Sequence, residues 1–592
     1  MWGLRAYIKP YWKFMILGPL FMIFEVFFDL LQPRLAAHIV NFGVVERDFG
    51  VIERTGITMF VVTLLSLITG VGCNLFASRA SQNFGADIRE ALFTKIQSFS
   101  FENMDTFKAG SLITRMTNDV VQVQNLMQIM LQGLVRSPSL LIGSVVMAML
   151  MNMRLGLILL GTLIVLSAVL FVLIRYSSPL FASVQAKLDA VNTRIQENLA
   201  GIRVVKAFVR SDYETEQFQE VNGAYTHISI KAARFIALNS PIVTLIMNGC
   251  LVIILLYGGN LVWNSSVRVG DLVAFVNYVA QVLASLLMVS GLLMNVSQAN
   301  VSARRIQDVL KTQPRIESVE QEDVTSIPAK QVTFRDVSFS YSGTPDAKSL
   351  VLQGIHLEAK QGETVAIIGA TGSGKSSLVQ LIPRLYDVTS GAIEVDGRDI
   401  RDIPLKALRS SIGMIMQESL LFTGSIRDNI AFGKPGATQE EIEAAATIAQ
   451  AHEFIAKLPS GYDTMLGQKG VNLSGGQKQR ISIARALLVK PSILIMDDST
   501  SALDLATEKR LRTALKKLTQ DSITFLIAQR ISSVTEAQKI VVIDEGAIVG
   551  SGSHEKLLAT CGVYQDIYRS QFGREEASDY GYRSTIRTYT SE

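Results

Sequence analysis

The sequence predicts a membrane all-α region of six transmembrane helices with long cytosolic extensions, fused to an α/β domain built on a phosphate-binding loop. Three observations lead to this fold class. Long charge-free runs fill the first half of the 592 residues. From about Gln331, short apolar strands alternate with helical patterns. A glycine-rich phosphate motif lies at 369–376, between one of these strands and a helix.

The apolar runs predict the membrane region. Hydrophobic residues make up 48% of the chain and charged residues only 18%, and the apolar excess lies in the first half. A helix needs about 20 apolar residues to cross a bilayer. So many runs of this length argue against buried core helices of a soluble protein. The predicted spans are approximately 14–37, 55–77, 131–152, 155–176, 241–263 and 271–293.

Charge indicates the orientation of these spans and excludes some functions. An even number of spans places both termini on one side, and Arg5, Lys9 and Lys13 favour the cytoplasmic side. The charged first span lacks a small-residue cleavage site and so does not resemble a signal peptide. A net charge of +4 is too small to suggest nucleic acid as a partner. The three cysteines are too far apart to indicate a metal site or a disulfide framework.

The connections between the spans alternate in length. The short ones, at 38–54, 153–154 and 264–270, would face outward. The long ones, 78–130 and 177–234, are polar and helical in pattern and would extend into the cytosol. We expect each long hairpin to contact another domain at its tip, near 100–110 in the first hairpin and 211–224 in the second.

Changes in composition predict the domain boundaries. The chain becomes polar and contains prolines after the last span, which indicates a linker, and alternation typical of strands begins soon afterwards. The last twenty residues are polar without apolar periodicity. The predicted organisation is a transmembrane domain at 1–310, a linker at 311–330, an α/β domain at 331–572 and a polar tail at 573–592.

The phosphate motif predicts a site for ATP and Mg²⁺. The run Gly369–Ser376 fits G-x-x-x-x-G-K-S, in which Lys375 reaches the β- and γ-phosphates and Ser376 can bind Mg²⁺. A second apolar strand ends at Asp497, which supplies a carboxylate on the metal side. Gln417 follows the strand at 412–416 and could either join the metal shell or lie in a loop.

A second phosphate-binding element is predicted about a hundred residues further on. The run LSGGQKQR at 473–480 places a Ser-Gly-Gly turn at the start of a helix. Such a turn presents a hydroxyl, backbone N–H groups and the positive end of the helix dipole, which suit a phosphate anion. The chain therefore offers phosphate-binding groups at two separate places.

Together these motifs resemble an ATP-binding cassette (ABC) transporter over nearly the whole chain. Six spans ahead of one nucleotide-binding domain, with long cytosolic hairpins, are similar to an exporter half-transporter. In this family the motifs are known as Walker A (369–376), the Q-loop (Gln417), the signature (473–477), Walker B (493–497) and the D-loop (501–504).

The resemblance implies a set of ligand-binding residues. Tyr341 matches the aromatic residue that stacks on adenine, although it could also be an ordinary strand tyrosine. The residues implied to contact the nucleotide are Tyr341, Gly369, Thr371, Gly372, Ser373, Gly374, Lys375, Ser376, Ser377 and Gln417. Those implied at the metal are Ser376, Gln417 and Asp497, the last through water.

The resemblance also implies a dimer. Half-transporters work as pairs in which the signature of one subunit covers ATP bound to the other, which accounts for two phosphate-binding elements in one chain. The residues implied to act on the partner's ATP are Ser474, Gly475, Gly476 and Gln477, and Asp504 of the D-loop belongs to the same catalytic set.

The chain departs from the family pattern beside the nucleotide. Asp498 replaces the catalytic glutamate, and Gln529 replaces the switch histidine. Aspartate is one methylene shorter and reaches the attacking water poorly. A neutral amide cannot carry the proton or charge of an imidazole. Residues 464–470 also lack the usual acids, with Met465 and Gln468 in their places.

These departures predict a site that binds ATP but turns it over slowly. The pattern resembles the degenerate-site subunit of bacterial heterodimeric multidrug exporters, so we expect a different partner chain that carries the catalytic glutamate and the histidine. A slow homodimer is the alternative.

Two carboxylates lie inside the first predicted span. Glu25 and Asp29 are four residues apart and so share one helix face. Intramembrane carboxylates are costly and often line a polar path, which would receive cationic drugs or protons. The structural alternative is pairing with a neighbouring helix, for example with Arg136.

The sequence thus predicts a subunit of an ATP-driven exporter of hydrophobic or amphipathic compounds in the bacterial plasma membrane. Its termini and nucleotide-binding domain would be cytoplasmic, and its partners would be a second half-transporter, the bilayer and a small amphipathic substrate. The alternatives are a lipid or peptide exporter and an ATP-gated regulator of a partner protein.

Overall fold

The computed structural model divides the chain into two compact units. The first contains residues up to Gln97 and Ala109–Thr312, and the second contains Ser98–Lys108 and the chain from Gln313 onward. The predicted tail and residues 320–325 of the predicted linker lie outside the described residues. The described residues are 2–264, 266–319, 326–342, 349–498 and 503–572.

The first unit is entirely helical where it is described. Six of its helical stretches are long and apolar enough to cross a membrane, which confirms the six predicted spans. The helices continue well past the apolar runs because their polar ends also keep helical periodicity. The helices before the second unit's main segment are α1 (Arg5–Ile8), α2 (Trp12–His38), α3 (Phe49–Gln97), α4 (Phe101–Phe107), α5 (Ala109–Thr114), α6 (Val120–Leu131), α7 (Gly133–Met151), α8 (Met153–Ala200), α9 (Ile202–Ala207), α10 (Ser211–Ala237), α11 (Asn239–Trp263) and α12 (Val269–Lys311).

The tips of the two long hairpins differ from each other. The first tip, α4, belongs to the second unit, as its predicted position near 100–110 allows. The predicted second tip at 211–224 was wrong, because these residues form the first half of α10. The chain turns instead at 201–210, through the short helix α9. The acidic residues after Ser211 are a helix start rather than a turn.

Close helix contacts hold the apolar bundle of the first unit together. A Cβ atom on Gly143 of α7 would lie 2.2 Å from Cδ1 of Leu30, so a larger residue there would force the Leu30 side chain to move. The buried Tyr278 of α12 donates its hydroxyl to the carbonyl oxygen of Leu30 at 3.0 Å. These contacts join α2 to both α7 and α12.

The second unit is α/β, as predicted, and contains three sheets in its described residues. A six-stranded sheet has the order β12-β11-β3-β10-β9-β6 and is parallel except for β12. A four-stranded antiparallel sheet has the order β2-β1-β4-β5. The strands are β1 (Gln331–Phe339), β2 (Leu352–Lys360), β3 (Thr364–Ile368), β4 (Ser390–Val395), β5 (Arg398–Asp399), β6 (Ile412–Ile415), β7 (Gly424–Ser425), β8 (Met465–Leu466), β9 (Ile493–Asp497), β10 (Ile523–Ile527), β11 (Lys539–Asp544) and β12 (Ala547–Gly552).

Two large apolar cores stabilise this unit. One lies between the four-stranded sheet and one face of the six-stranded sheet. The other joins the opposite face to a group of helices around α18. Because β3, β9 and β10 pair in parallel, their carboxyl ends meet at one edge of the six-stranded sheet. The helices of this unit are α13 (Lys375–Leu381), α14 (Leu405–Ser410), α15 (Ile426–Ala431), α16 (Gln439–Ile448), α17 (His452–Ala456), α18 (Gly475–Leu488), α19 (Leu505–Leu518) and α20 (His554–Thr560).

Candidate nucleotide site

The phosphate loop joins β3 to α13 at this sheet edge. Gly374 has a φ of +97°, and a Cβ atom there would lie 2.9 Å from the carbonyl oxygen of Val351. Lys375 donates from Nζ to the carbonyl oxygens of Gly369 at 3.0 Å and Ala370 at 2.7 Å, and its burial lowers the pKa of its ammonium group. The Lys375 side chain thus contacts the backbone of its own phosphate loop.

The loop also contains an unsatisfied donor. The hydroxyl of Ser373 is buried and has no hydrogen-bond partner within the described parts of the chain. A buried polar group without a partner is costly and calls for an explanation. A phosphate oxygen would accept from this hydroxyl, so the loop fits a nucleotide phosphate.

A hydroxyl and a carboxylate suited to a metal lie together beside the loop. Ser376 donates from Oγ to Oδ1 of Asp497 at 3.0 Å, and Asp497 is only 4% exposed at the end of β9. Burial is the main cause that raises the pKa of Asp497, although Ser376 and Lys375 lower it. Mg²⁺ prefers such oxygen ligands, so these residues fit a Mg²⁺ ion.

The two non-consensus residues contact each other. Gln529, just after β10, donates from Nε2 to Oδ2 of Asp498 at 2.9 Å. Asp498 has a φ of +45°, in the left-handed region, which is strained for a residue other than glycine. Burial raises the pKa of Asp498, while Arg530 and Lys375 lower it. The carboxylate of Asp498, whose catalytic role remains a prediction, is therefore held by an amide.

Gln571 was missed by the sequence analysis. Its Nε2 donates to the carbonyl oxygen of Gln529 at 2.7 Å, and its Oε1 accepts from the N–H of Ile531 at 2.8 Å. The side chain thus fixes the loop that carries Gln529. Forty-two residues separate Gln571 from Gln529, so no local pattern could indicate this pairing.

Tyr341 is 43% exposed, and its predicted stacking on adenine remains a prediction. Its hydroxyl lies 2.9 Å from Oγ of Ser377, at the start of α13. Tyr386 packs edge-on against the ring, with centroids 5.1 Å apart. Tyr386 also donates its hydroxyl to Asp105 of α4 at 2.9 Å, a contact the sequence did not indicate. The contact with Ser377 therefore positions the Tyr341 side chain.

Gln417 lies at the same sheet edge as Asp497. It follows β6, which pairs with β9 in parallel so that Ile415 is opposite Met496. Its side chain is exposed. The glutamine is thus near the strand end that carries the carboxylate of Asp497, and its role at the metal remains a prediction.

The signature is a capped helix start. Ser474 caps α18: its Oγ accepts from the N–H of Gln477, and its own N–H donates to Oε1 of Gln477 at 2.9 Å. Ser474 and Gly475 are exposed. Among the described residues, the side-chain hydrogen bonds of Ser474 stay within this turn. The chain therefore presents the signature outward instead of bringing it to its own phosphate loop.

The D-loop is described only at its end. Residues 499–502, including Ser501, lie outside the described residues. Asp504 caps α19 by accepting from the N–H of Thr507 at 2.9 Å, and this hydrogen bond lowers the pKa of Asp504. Its predicted catalytic role remains a prediction.

The carboxylates of the first span are paired. Arg136 of α7 contacts Glu25 through Nη1 and Asp29 through Nη2, the latter at 3.2 Å. Ser66 of α3 donates to the other oxygen of Asp29 at 2.8 Å. The structure thus contains the pairing named as the structural alternative, while a role in a substrate pathway remains a prediction.

Comparison with known proteins places both halves of the chain in related families. Residues 15–286 match the ABC transporter transmembrane region, and residues 352–501 match the ABC transporter family. The second match begins in β2 and ends inside the D-loop. It therefore spans the phosphate loop, Gln417, the signature and the strand that ends at Asp497.

Whole-chain relatives agree with these matches. YfiB, an ABC transporter ATP-binding protein of Bacillus subtilis (strain 168), is 42% identical over 570 residues, 96% of this chain and 98% of YfiB. An ATP-dependent lipid A-core flippase of Syntrophus aciditrophicus is 34% identical over 88% of this chain and 86% of its own. A bacterial Atm1-family ABC exporter solved with ATP bound has a TM-score of 0.77 and 25% identity, covering 96% of this chain and all of its own.

Proposed function

This chain belongs to the ABC transporter family, and from that premise we propose that it is the degenerate-site subunit of a heterodimeric bacterial exporter. The family and the exporter fold make it a multi-pass membrane protein that binds ATP, couples ATP hydrolysis to transport and works as a dimer. We place it in the plasma membrane, with both termini and the α/β unit in the cytoplasm, and assign it hydrophobic or amphipathic compounds of the multidrug type.

The exposed surfaces of this chain support a role for a second subunit. Ser474 and the start of α18 face outward, although their chemistry suits a phosphate. The tip of the second hairpin exposes apolar side chains, with Phe208 73% and Val209 85% exposed. Apolar residues at a hairpin tip are typical of an interaction surface. In the proposed dimer, the partner subunit would cover both features.

The hydrogen bond between Gln529 and Asp498 carries the proposal of a slow site. A general base must first reach the proton that it removes. The shorter carboxylate of Asp498 is directed to the amide of Gln529 at 2.9 Å instead of standing free for a water molecule. Gln529 in turn supplies no positive charge for a γ-phosphate. Both substitutions act against hydrolysis, whereas the groups that bind ATP are intact.

The groups that would bind the metal are intact, like those that would bind ATP. Ser376 and Asp497 would hold Mg²⁺ beside the phosphates, with Gln417 as a further oxygen ligand. When bound, the ion would neutralise phosphate charge. Lys375 and the N–H groups of the loop would hold the phosphates, so the site would act mainly as a clamp that closes the dimer.

Mg-ATPase of the purified full-length chain tests this proposal. We expect the chain alone to bind ATP but hydrolyse it slowly. The double variant Asp498→Glu, Gln529→His restores the base and the imidazole, so its ATPase rate should rise by about 10²-fold or more. Fluorescent ATP binding, measured on the same samples, should not change.

Lys375→Ala in the double-variant background is the control, since it removes the phosphate contact and should abolish the gained activity. Brisk hydrolysis by the unmodified chain alone would contradict a degenerate site. A double variant that binds ATP and forms dimers but stays slow would contradict the roles given to Asp498 and Gln529.

A lipid is the second candidate substrate. It is favoured by the similarity to the lipid A-core flippase of Syntrophus aciditrophicus, at 34% identity over most of both chains. Flux measured in vesicles that contain this chain and its partner, with fluorescent lipids in one assay and amphipathic dyes in the other, would separate the two candidates.

A further inference from the structure

A small polar cavity lies at the short-connection end of the membrane unit. It has a volume of about 290 Å³ and lies between α2, the end of α7 and the start of α12. Arg34, His38 and Asn41 form one side, Asp271 another, and Met147 and Met151 an apolar wall. Pockets for drug-sized ligands measure roughly 300–1,000 Å³, so this cavity suits the polar end of a molecule.

Hydrogen bonds hold one charged wall of the cavity in place. The amide oxygen of Asn41 accepts from the N–H of Gly270 at 2.7 Å. Its amide nitrogen donates to Oδ1 of Asp271 at 3.0 Å. Asp271 is therefore fixed through one oxygen, while its second oxygen has no hydrogen-bond partner within the described parts of the chain.

Neither Asp271 nor the cation in the cavity, Arg34, has a counter-charge among the described residues. The Arg34 side chain is exposed and forms no hydrogen bond or ion pair with any described residue. Arg34 and Asp271 line the same cavity without forming an ion pair at 4.0 Å or less. By contrast, Arg136 of the same bundle pairs with two carboxylates.

Unpaired charges in a membrane-spanning region are costly and usually mark a functional site. Two opposite charges that share a cavity, but are too far apart to pair, would both be satisfied by a ligand that carries both signs. We propose that this cavity binds a small zwitterionic group, with its phosphate or carboxylate at Arg34 and a primary ammonium at Asp271. The substrate class of the proposed exporter would then include amphiphiles with such a headgroup.

The surrounding residues favour a primary ammonium over a quaternary one. Asp271 offers a carboxylate oxygen that accepts an N–H, which a trimethylammonium group cannot donate. Quaternary ammonium is usually bound by open aromatic faces. The nearest ring, Phe42, already has the guanidinium of Arg268 over it at 4.2 Å and His38 beside it at 4.7 Å. Phosphoethanolamine is thus the matching chemistry, either as a lipid headgroup or free.

Lipid retention by the purified full-length chain, counted by native mass spectrometry, tests this inference without ATP or transport. Phosphatidylethanolamine, phosphatidylcholine and phosphatidylglycerol are offered at equal concentrations. We expect phosphatidylethanolamine to be retained about tenfold better than either of the others, which corresponds to one charged contact of about 1.4 kcal/mol. Competition with soluble phosphoethanolamine distinguishes the sources: displacement assigns the free zwitterion, and no displacement assigns the lipid.

Substitutions of Arg34 and Asp271 should show separately what each charge contributes to lipid retention. Arg34→Gln should weaken retention of both phosphatidylethanolamine and phosphatidylglycerol, and Arg34→Lys should preserve it. Asp271→Asn should remove the preference for phosphatidylethanolamine over phosphatidylglycerol. Arg154→Gln is the matched control, because Arg154 is an exposed arginine at the start of α8 and does not line the cavity.

Equal retention of the three lipids by the unmodified chain would overturn the site, and so would equal losses in Arg34→Gln and Arg154→Gln. Loss of the dimer in Arg34→Gln would also overturn it, because Arg34 would then have its counter-ion on the partner. The interpretation of this ligand as a transported substrate rests on the proposed function. Lipid retention is measured without hydrolysis or flux. Absence of export would therefore contradict the proposed function but would not change the retention result.

Discussion

At the scale of single residues, the proposed slow site depends on the length of Asp498 and the neutral charge of Gln529. Asp498 follows Asp497 directly, yet the two carboxylates have different partners. Asp497 accepts from the hydroxyl of Ser376, and Asp498 accepts from the amide of Gln529. The first contact belongs to the metal side of the site, and the second occupies the position from which a base would act. In the proposed function, one strand end therefore carries an intact binding group beside a weakened catalytic one.

Tyr341 provides a test of nucleotide binding at this scale. Stacking of a base on an aromatic ring contributes about 1–3 kcal/mol, so Tyr341→Ala should weaken ATP binding by about tenfold or more. Tyr341→Phe keeps the ring and loses only the contact with Ser377, so its affinity should stay within about threefold of the original. Equilibrium binding of a fluorescent ATP analogue to the purified chain measures both.

Equal losses in the two Tyr341 variants would contradict stacking and point to the hydroxyl instead. Ser377→Ala is the matched control, since it removes the other half of the same hydrogen bond and should behave like Tyr341→Phe.

At the scale of elements, α2 joins three neighbouring helices through polar contacts inside an apolar bundle. Arg136 connects it to α7, Ser66 connects it to α3, and Tyr278 connects it to α12. Arg136 serves two carboxylates, so its removal would leave both without a counter-charge. Removing one side of a buried ion pair is far more costly than replacing the whole pair with neutral groups.

Arg136→Ala should therefore destabilise the membrane unit, by less than the ~3–5 kcal/mol of a fully buried pair because these side chains are partly exposed, seen as a lower thermal unfolding midpoint in detergent. The neutral triple variant Glu25→Gln, Asp29→Asn, Arg136→Gln should recover most of that loss. A stable Arg136→Ala protein would contradict this structural role.

Transport distinguishes this role from a cation pathway. With a purely structural pairing, Asp29→Asn should leave transport of several cationic dyes unchanged in vesicles that hold both subunits. A loss confined to cationic dyes, with neutral substrates unaffected, would instead support the substrate pathway predicted from the sequence.

Elements with strong local signals were predictable from the sequence. The six spans follow from runs of apolar residues, and the strand predicted just before the phosphate motif is β3, a short apolar run ahead of a glycine-rich loop. The second hairpin tip was misplaced because a polar helix start at Ser211 resembles a turn. Pairings between distant residues, such as Gln571 with the loop of Gln529 or Asn41 with Asp271, depend on tertiary packing and have no local signal.

At the scale of the whole molecule, the chain contains the parts of a nucleotide site without assembling them. The phosphate loop follows β3, whereas the signature begins α18 in the group of helices around the second core. Family membership makes the chain a dimer, in which each signature would meet the other subunit's ATP. Combined with the proposed weak site, this predicts that the signature of this chain contributes more to turnover than its own Walker motifs do.

The asymmetry predicts unequal effects of two substitutions in the assembled dimer. Ser474→Arg places a bulky cation where the signature would meet the partner's ATP, and it should lower ATPase and transport by about 10²-fold. Asp498→Asn alters a site that already turns over slowly, so we expect less than about a threefold change. Thr438→Arg is the matched control, because Thr438 is also an exposed capping-box residue, at the start of α16, and lies outside the signature. Equal losses for Ser474→Arg and Asp498→Asn, or a larger loss for Asp498→Asn, would show that this chain's own site drives turnover.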